Sequence, residues 1–189
     1  MRPGESALVA ALAFSISTAF AQERPLLLPT RDVDITYDLG SVPGSPGRVL
    51  RQRVRWLASD RKMRIDPPSP GLFAIIDYNT GRMIVLRASD HLGLESQSVD
   101  DIMPRAGRPL ATPTYVRRGQ DQLAGLSCTD WEMRDGGGTP LSLCITSDGV
   151  LLRVRSGTRA LATAIAVHFG SQDVAAFQIP PGYRVQPGP

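Results

Sequence analysis

A chain of 189 residues, 42% of them hydrophobic and with a net charge of +3, has the length of a single domain and the apolar content for one core. The charge is too small for a nucleic-acid binder, whose domains are far more basic and carry stacking aromatics. What basicity there is comes from arginine, since Lys62 is the sole lysine.

Residues 1–21 read as a cleaved secretory signal. Ala7 to Ile16 is apolar except for Ser15, it follows Arg2, and it leads to the small-x-small pattern Ala19-Phe20-Ala21. The run is too short to cross a bilayer, where about 20 residues are needed. The expected mature chain therefore starts at Gln22 and forms one domain over residues 22–189, periplasmic or secreted, with no transmembrane segment after cleavage. No Cys follows the cleavage site, so no lipid anchor is expected.

Val33 to Leu39 alternates apolar and polar residues, the pattern of a half-buried strand. Pro43, Gly44, Pro46 and Gly47 break the chain before a second strand, Val49 to Ala58. On it Leu50, Val54 and Trp56 share one face while Arg51, Arg53 and Arg55 line the other. Arg61 to Asp66 reads as a continuation of that strand, ended by Pro67-Pro68. Leu72 to Tyr78 and Arg82 to Arg87 flank Asn79-Thr80-Gly81, read as a three-residue hairpin loop with its glycine left-handed. On that register Phe73, Ile75, Met83 and Val85 share one face, and Ala74, Ile76, Ile84 and Leu86 share the other. A hairpin apolar on both faces is central and needs cover on both.

Residues 89–113 carry little pattern beyond a short capped helix at Ser98–Met103, and a connection of that length is usually functional or disordered. Cys128 and Cys144 are the only cysteines, and in an exported chain an even pair predicts a disulfide. Zinc would need two further ligands, and His91 and His168 lie in unrelated segments, so neither metal nor cofactor is expected. Placing Cys128 opposite Cys144 sets Trp131 against Leu141 and Thr129 against Leu143, with the turn in Asp135–Gly138. A second turn at Asp148-Gly149 sets Ile145 against Leu152 and Leu143 against Val154. Both hairpins put Leu143 and Ile145 on one apolar face, with Arg153, Arg155 and the cysteines on the other. Arg159 to Phe169 segregates large residues from alanines with period two, which favours a strand, although its alanines are also good helix formers. Asp173 to Phe177 reads as one helical turn.

The predicted content is thus eight to ten antiparallel strands with little helix. Phe73 to Tyr78 with Arg82 to Leu86 resembles the paired hairpin of the DUF4412 family, which belongs with the periplasmic lipoprotein-carrier-like (LolA/LolB-like) proteins. Ala124-Gly125-Leu126-Ser127-Cys128-Thr129-Asp130-Trp131 resembles its Ala-Gly-x-x-Cys-x-x-aromatic segment, and Phe177-Gln178-Ile179-Pro180-Pro181-Gly182-Tyr183 resembles the Phe-x-x-Pro-x-Gly-Tyr ending of the superfamily. The resemblance spans roughly residues 70–185. It implies a mostly-β fold, a single curved antiparallel sheet of LolA-like half-barrel form, whose apolar concave face holds acyl chains in carrier-like relatives. The chain departs from the carriers in lacking an obvious long helix, which leaves residues 89–113 as the stretch free to form a lid.

No Gly-x-Ser-x-Gly, His-Glu-x-x-His or phosphate-binding loop occurs, and Ser89-Asp90-His91 lies in a loop-like stretch. Binding is therefore expected rather than catalysis. For an apolar ligand such as a lipid, the candidate lining is Trp56, Phe73, Ile75, Met83, Val85 and Trp131. The alternative is a cell-envelope interaction module in which Arg51, Arg53 and Arg55 meet an acidic protein partner or lipid head groups.

Overall fold

In a computed structural model, residues 23–40, 50–96, 113–134 and 138–188 are described. The signal segment, the Ser98–Met103 helix and most of the Asp135–Gly138 turn lie outside the described residues. The first six strands are β1 (Val33–Leu39), β2 (Leu50–Leu57), β3 (Lys62–Asp66), β4 (Leu72–Asp77), β5 (Arg82–Arg87) and β6 (Leu92–Ser96). Six more follow: β7 (Thr114–Leu123), β8 (Leu126–Arg134), β9 (Leu141–Ile145), β10 (Leu151–Ser156), β11 (Arg159–Phe169) and β12 (Arg184–Pro187). They form one open, curved sheet in the order β12-β6-β5-β4-β3-β2-β1-β11-β10-β9-β8-β7. Neighbours are antiparallel except β12, which runs parallel to β6. This is the mostly-β half-barrel with little helix that the sequence predicts.

Residues 92–96, in the stretch read as free to form a lid, are instead β6, paired between β5 and β12. Three further local expectations change. Arg61 to Asp66 does not continue the second strand. The chain reverses after Ala58, with Arg61 left-handed at φ 51°, and β3 returns beside β2. Asp32 secures this turn by accepting the Ala58 N–H at 2.8 Å and the Gln172 N–H at 3.0 Å.

The β4–β5 loop has four residues, Tyr78 to Gly81, because Asp77 pairs with Arg82. The Asp77 carboxylate accepts the Asn79 and Thr80 N–H groups, which pulls Tyr78 out of the strand. One extra loop residue changes the face of everything after it. Phe73 and Ile75 therefore share a face with Leu86 and Ile84, and Met83 and Val85 point the other way with Ile76 and Ala74.

In the third case, β8 and β9 are shifted by two residues from the expected register. Trp131 faces Leu143, Thr129 faces Ile145, and Asp130 faces Cys144. The Cys128–Cys144 disulfide forms on a diagonal, with Cα atoms 5.4 Å apart. An even shift preserves the faces, so Leu143 and Ile145 keep their apolar side. Leu143 does pair with Val154, while a bulge between Leu151 and Arg153 sets Ile145 against Leu151 rather than Leu152.

The main core gathers Val33, Ile35, Tyr37, Val54 and Trp56 with the disulfide, Val150, Leu152 and Ala164. A second cluster of Phe73, Ile75, Ile84 and Leu86 on the other face of β4–β5 is covered by the C-terminal segment. Tyr183 packs on it, and Arg64 holds its guanidinium 4.0 Å from the centre of the Phe73 ring while donating to the Ala176 carbonyl at 2.9 Å. A 3-10 turn, Val174–Phe177, lies in that segment, capped by the Asp173 side chain.

Candidate functional site: a cavity beneath an N-terminal strap

Pairing across β1, β2 and β3 builds a block of apolar side chains. Trp56 lies between Val33 and Met63, and Val54 lies between Ile35 and Ile65. The sheet curls so that β10 approaches this block, and the Tyr37 hydroxyl donates to the Leu151 carbonyl at 2.6 Å. Burial pushes the Tyr37 phenol far above its ordinary value. Tyr78 meets Trp56 edge-on, with centroids 5.5 Å apart.

Between these elements lies a cavity of about 330 Å³ lined by Ile35, Tyr37, Val54, Trp56, Met63 and Ile65, with Gln52 among its polar members. It is walled on one side by Leu27, Leu28 and Pro29. These belong to a strap, residues 25–30, that precedes β1. The strap is fastened at its far end: the Thr30 N–H donates to the Asp148 carbonyl at 2.9 Å, Arg31 pairs with Asp148 at 2.8 Å, and the Arg31 guanidinium lies 3.6 Å from the Phe169 ring centre. A second, larger and more open cavity of about 650 Å³ shares Leu27, Leu28, Pro29 and Trp56 and adds Ser59 and Arg61 to its lining. Trp56 is 2% exposed and its Nε1 has no hydrogen-bond partner among the described residues.

Of the six apolar candidates, Trp56 lines this cavity. Met83 and Val85 lie on the same sheet face, reached from Trp56 and Val54 through β3 and β4. Trp131 lies on it too, in a satellite cluster with Tyr115, Leu143 and Ile145. Phe73 and Ile75 lie on the opposite face, under the C-terminal segment. The sequence reading missed Ile35, Tyr37 and the strap. The first two were visible as the inward positions of an alternating strand, and the strap as the run Pro25-Leu26-Leu27-Leu28-Pro29.

The arginine face carries its own counter-charges. Arg51 pairs with Asp38 at 3.2 Å, Arg53 donates from Nε to Asp34 at 2.9 Å, and Arg55 pairs with Asp66 at 2.9 Å. Burial raises the Asp66 carboxyl, but hydrogen bonds from Arg64 and Arg55 outweigh it and hold the group below its ordinary value. Among the described residues one cluster has metal-ligand character: Asp121, Asp130 and Cys144. Cys144 is committed to the disulfide, and Arg153 already bridges the two carboxylates at 2.8 and 3.2 Å. No helix among the described residues is long and apolar enough to cross a membrane.

No protein-family profile matches this chain, and no curated protein matches it. Solved structures do. An uncharacterized conserved protein from Thermus thermophilus is similar over 84% of this chain and 91% of its own, at 17% identity and a TM-score of 0.57. A structure of PNGF-II is similar over 83% of this chain and 31% of its own, at 11% identity and a TM-score of 0.53. The crystal structure of MucB aligns over 82% of this chain and 59% of its own, at 11% identity and a TM-score of 0.46. The first two likenesses are of fold.

Proposed function

We propose that the protein is an exported carrier or sensor that binds an apolar ligand, a lipid or acyl chain, in the concave face of its half-barrel. The observation that carries this reading is the cavity of about 330 Å³ around Trp56, mostly apolar and walled on one side by a chain segment rather than by a strand. Ligand sites are typically concave, about 300–1,000 Å³ in volume, and mostly apolar with a few polar groups. The resemblance to DUF4412 and the lipoprotein-carrier-like proteins, the signal-like first 21 residues and a disulfide suited to an oxidising compartment all support export and binding. We read the role as binding rather than catalysis: the cavity's polar side chains are the Gln52 amide, the Trp56 indole and the hydroxyls of Tyr37 and Tyr78, the first of these already bonded to the Leu151 carbonyl.

The alternative, an envelope interaction module reading acidic partners through Arg51, Arg53 and Arg55, is less well supported. Each of those arginines is matched to a carboxylate of a neighbouring strand. Native mass spectrometry of protein released gently from the cell envelope, followed by organic extraction, tests the reading. A stoichiometric co-purifying lipid is expected. A clean unliganded mass together with no uptake of added acyl chains would overturn it.

A further inference from the structure

The two cavities are not equivalent. Both share the strap residues Leu27, Leu28 and Pro29, but the rest of the smaller is mostly strand side chains, whereas the larger adds Thr30 and, from the β2–β3 turn, Ser59 and Arg61. Arg61 is the unusual member. Arg31, Arg51, Arg53, Arg55, Arg64 and Arg82 all bind carboxylates; Arg61 has no ion pair among the described residues, and unlike Arg24, Arg155 and Arg184, which share that state, it lines the larger cavity. Its neighbour Asp60 is engaged elsewhere, accepting from Ser59 Oγ at 2.9 Å and lying 3.9 Å from Lys62. The turn is also rigidly built, because the Arg61 N–H donates to the Ala58 carbonyl and the Arg61 carbonyl accepts from Tyr78. An exposed cation with no ion pair among the described residues thus lines the larger cavity, and Trp56 is a wall common to both.

We propose that the ligand is a single-chain anionic amphiphile. Its hydrocarbon tail lies in the inner cavity, it passes beneath the strap at Leu27–Pro29, and its anionic head rests at Arg61 in the outer chamber. This rests on the apolar-ligand reading and adds the head group. Size agrees with a modest tail, since 330 Å³ lies at the small end of the range of about 300–1,000 Å³ usual for ligand pockets. A hydrogen bond to a charged partner is the stronger kind, so the anion gives selectivity that hydrocarbon alone cannot. A carboxylate and a phosphate would satisfy Arg61 alike.

The test is calorimetric titration of the protein with dodecanoate, dodecyl phosphate and the uncharged dodecanol. Both anions are expected to bind about tenfold tighter than the alcohol. Arg61→Gln should remove that preference and leave dodecanol affinity unchanged, while Arg61→Lys should keep part of it. The same substitution at Arg184, on the distant edge strand β12, should change nothing. A preference for one anion over the other identifies the head group as carboxylate or phosphate. Equal binding of alcohol and anions by the unaltered protein, or a preference that survives Arg61→Gln, overturns the head-group assignment and leaves apolar binding standing. Binding of none of the three overturns both.

Discussion

Tyr37 shows how one side chain can join the fold and the site. Its ring lines the inner cavity, and its hydroxyl crosses to the Leu151 carbonyl at 2.6 Å, tying β1 to the first residue of β10. Tyr37→Phe keeps the lining but removes this hydrogen bond, a loss of about 0.5 to 1.5 kcal/mol. Ligand affinity should be nearly unchanged while urea unfolding moves to lower concentration. Alkali supplies a second readout. Burial holds the phenol in its neutral form, so its folded value lies above the ordinary 10.0. The unfolded chain ionises first as pH rises. Tyr37's contribution is therefore complete below pH 10.0 and is lost as pH climbs toward the folded value. Unfolding curves taken across that range should show the unaltered protein losing stability faster than the Phe variant. Parallel losses would remove Tyr37 as the cause.

At the scale of elements, the strap depends on a close approach that only glycine permits. Gly149 sits at φ 82°, and a Cβ there would collide with the Leu28 carbonyl group. Gly149→Ala should therefore lift the strap from the β9–β10 turn, and the amide of Thr30, protected by the Asp148 carbonyl, should exchange with solvent much faster. Retained protection at Thr30 would show that the strap is held by something other than this contact. The strap also marks where sequence reasoning stops. Alternation in Val33–Leu39 and Leu50–Leu57 exposed the strands and their inward residues, including Trp56. Cysteine parity exposed the disulfide, and even a two-residue register error left its faces correct. The β4–β5 hairpin failed differently. Whether Tyr78 belongs to strand or loop depends on two backbone hydrogen bonds to Asp77, and that single residue moves Met83 and Val85 to the other face of the sheet from Phe73 and Ile75. The strap lacks periodicity because it joins no ladder. Its position follows from contacts with residues more than a hundred positions away, and no local pattern encodes those.

Over the whole molecule, the outer surface is cross-linked by arginine–carboxylate pairs, and these set its response to acid. Hydrogen bonds from Arg82, Arg87 and the Arg118–Arg134 pair hold Glu95, Asp90 and Glu132 below their ordinary values, and a backbone N–H together with Arg153 does so for Asp121. Exposed pairs of this kind are individually weak and screened by salt. Asp66 differs. It is partly buried at the end of β3, accepts from both Arg55 and Arg64, and Arg64 in turn anchors the C-terminal segment at Ala176. A carboxylate whose folded value is depressed stabilises the protein above its unfolded value, here near 3.8, and that stabilisation is lost as pH falls through the folded value. The fold should therefore hold its stability from neutrality down to about pH 4 and lose it below, with the C-terminal cover loosening as Asp66 takes up its proton. Asp66→Asn should be less stable than the unaltered protein near neutrality, and the difference should shrink as acid protonates Asp66. Urea midpoints measured for both proteins from neutral to strongly acidic buffer decide the matter, because a gap that stays constant with pH would mean that the Asp66 charge contributes nothing and only its shape matters.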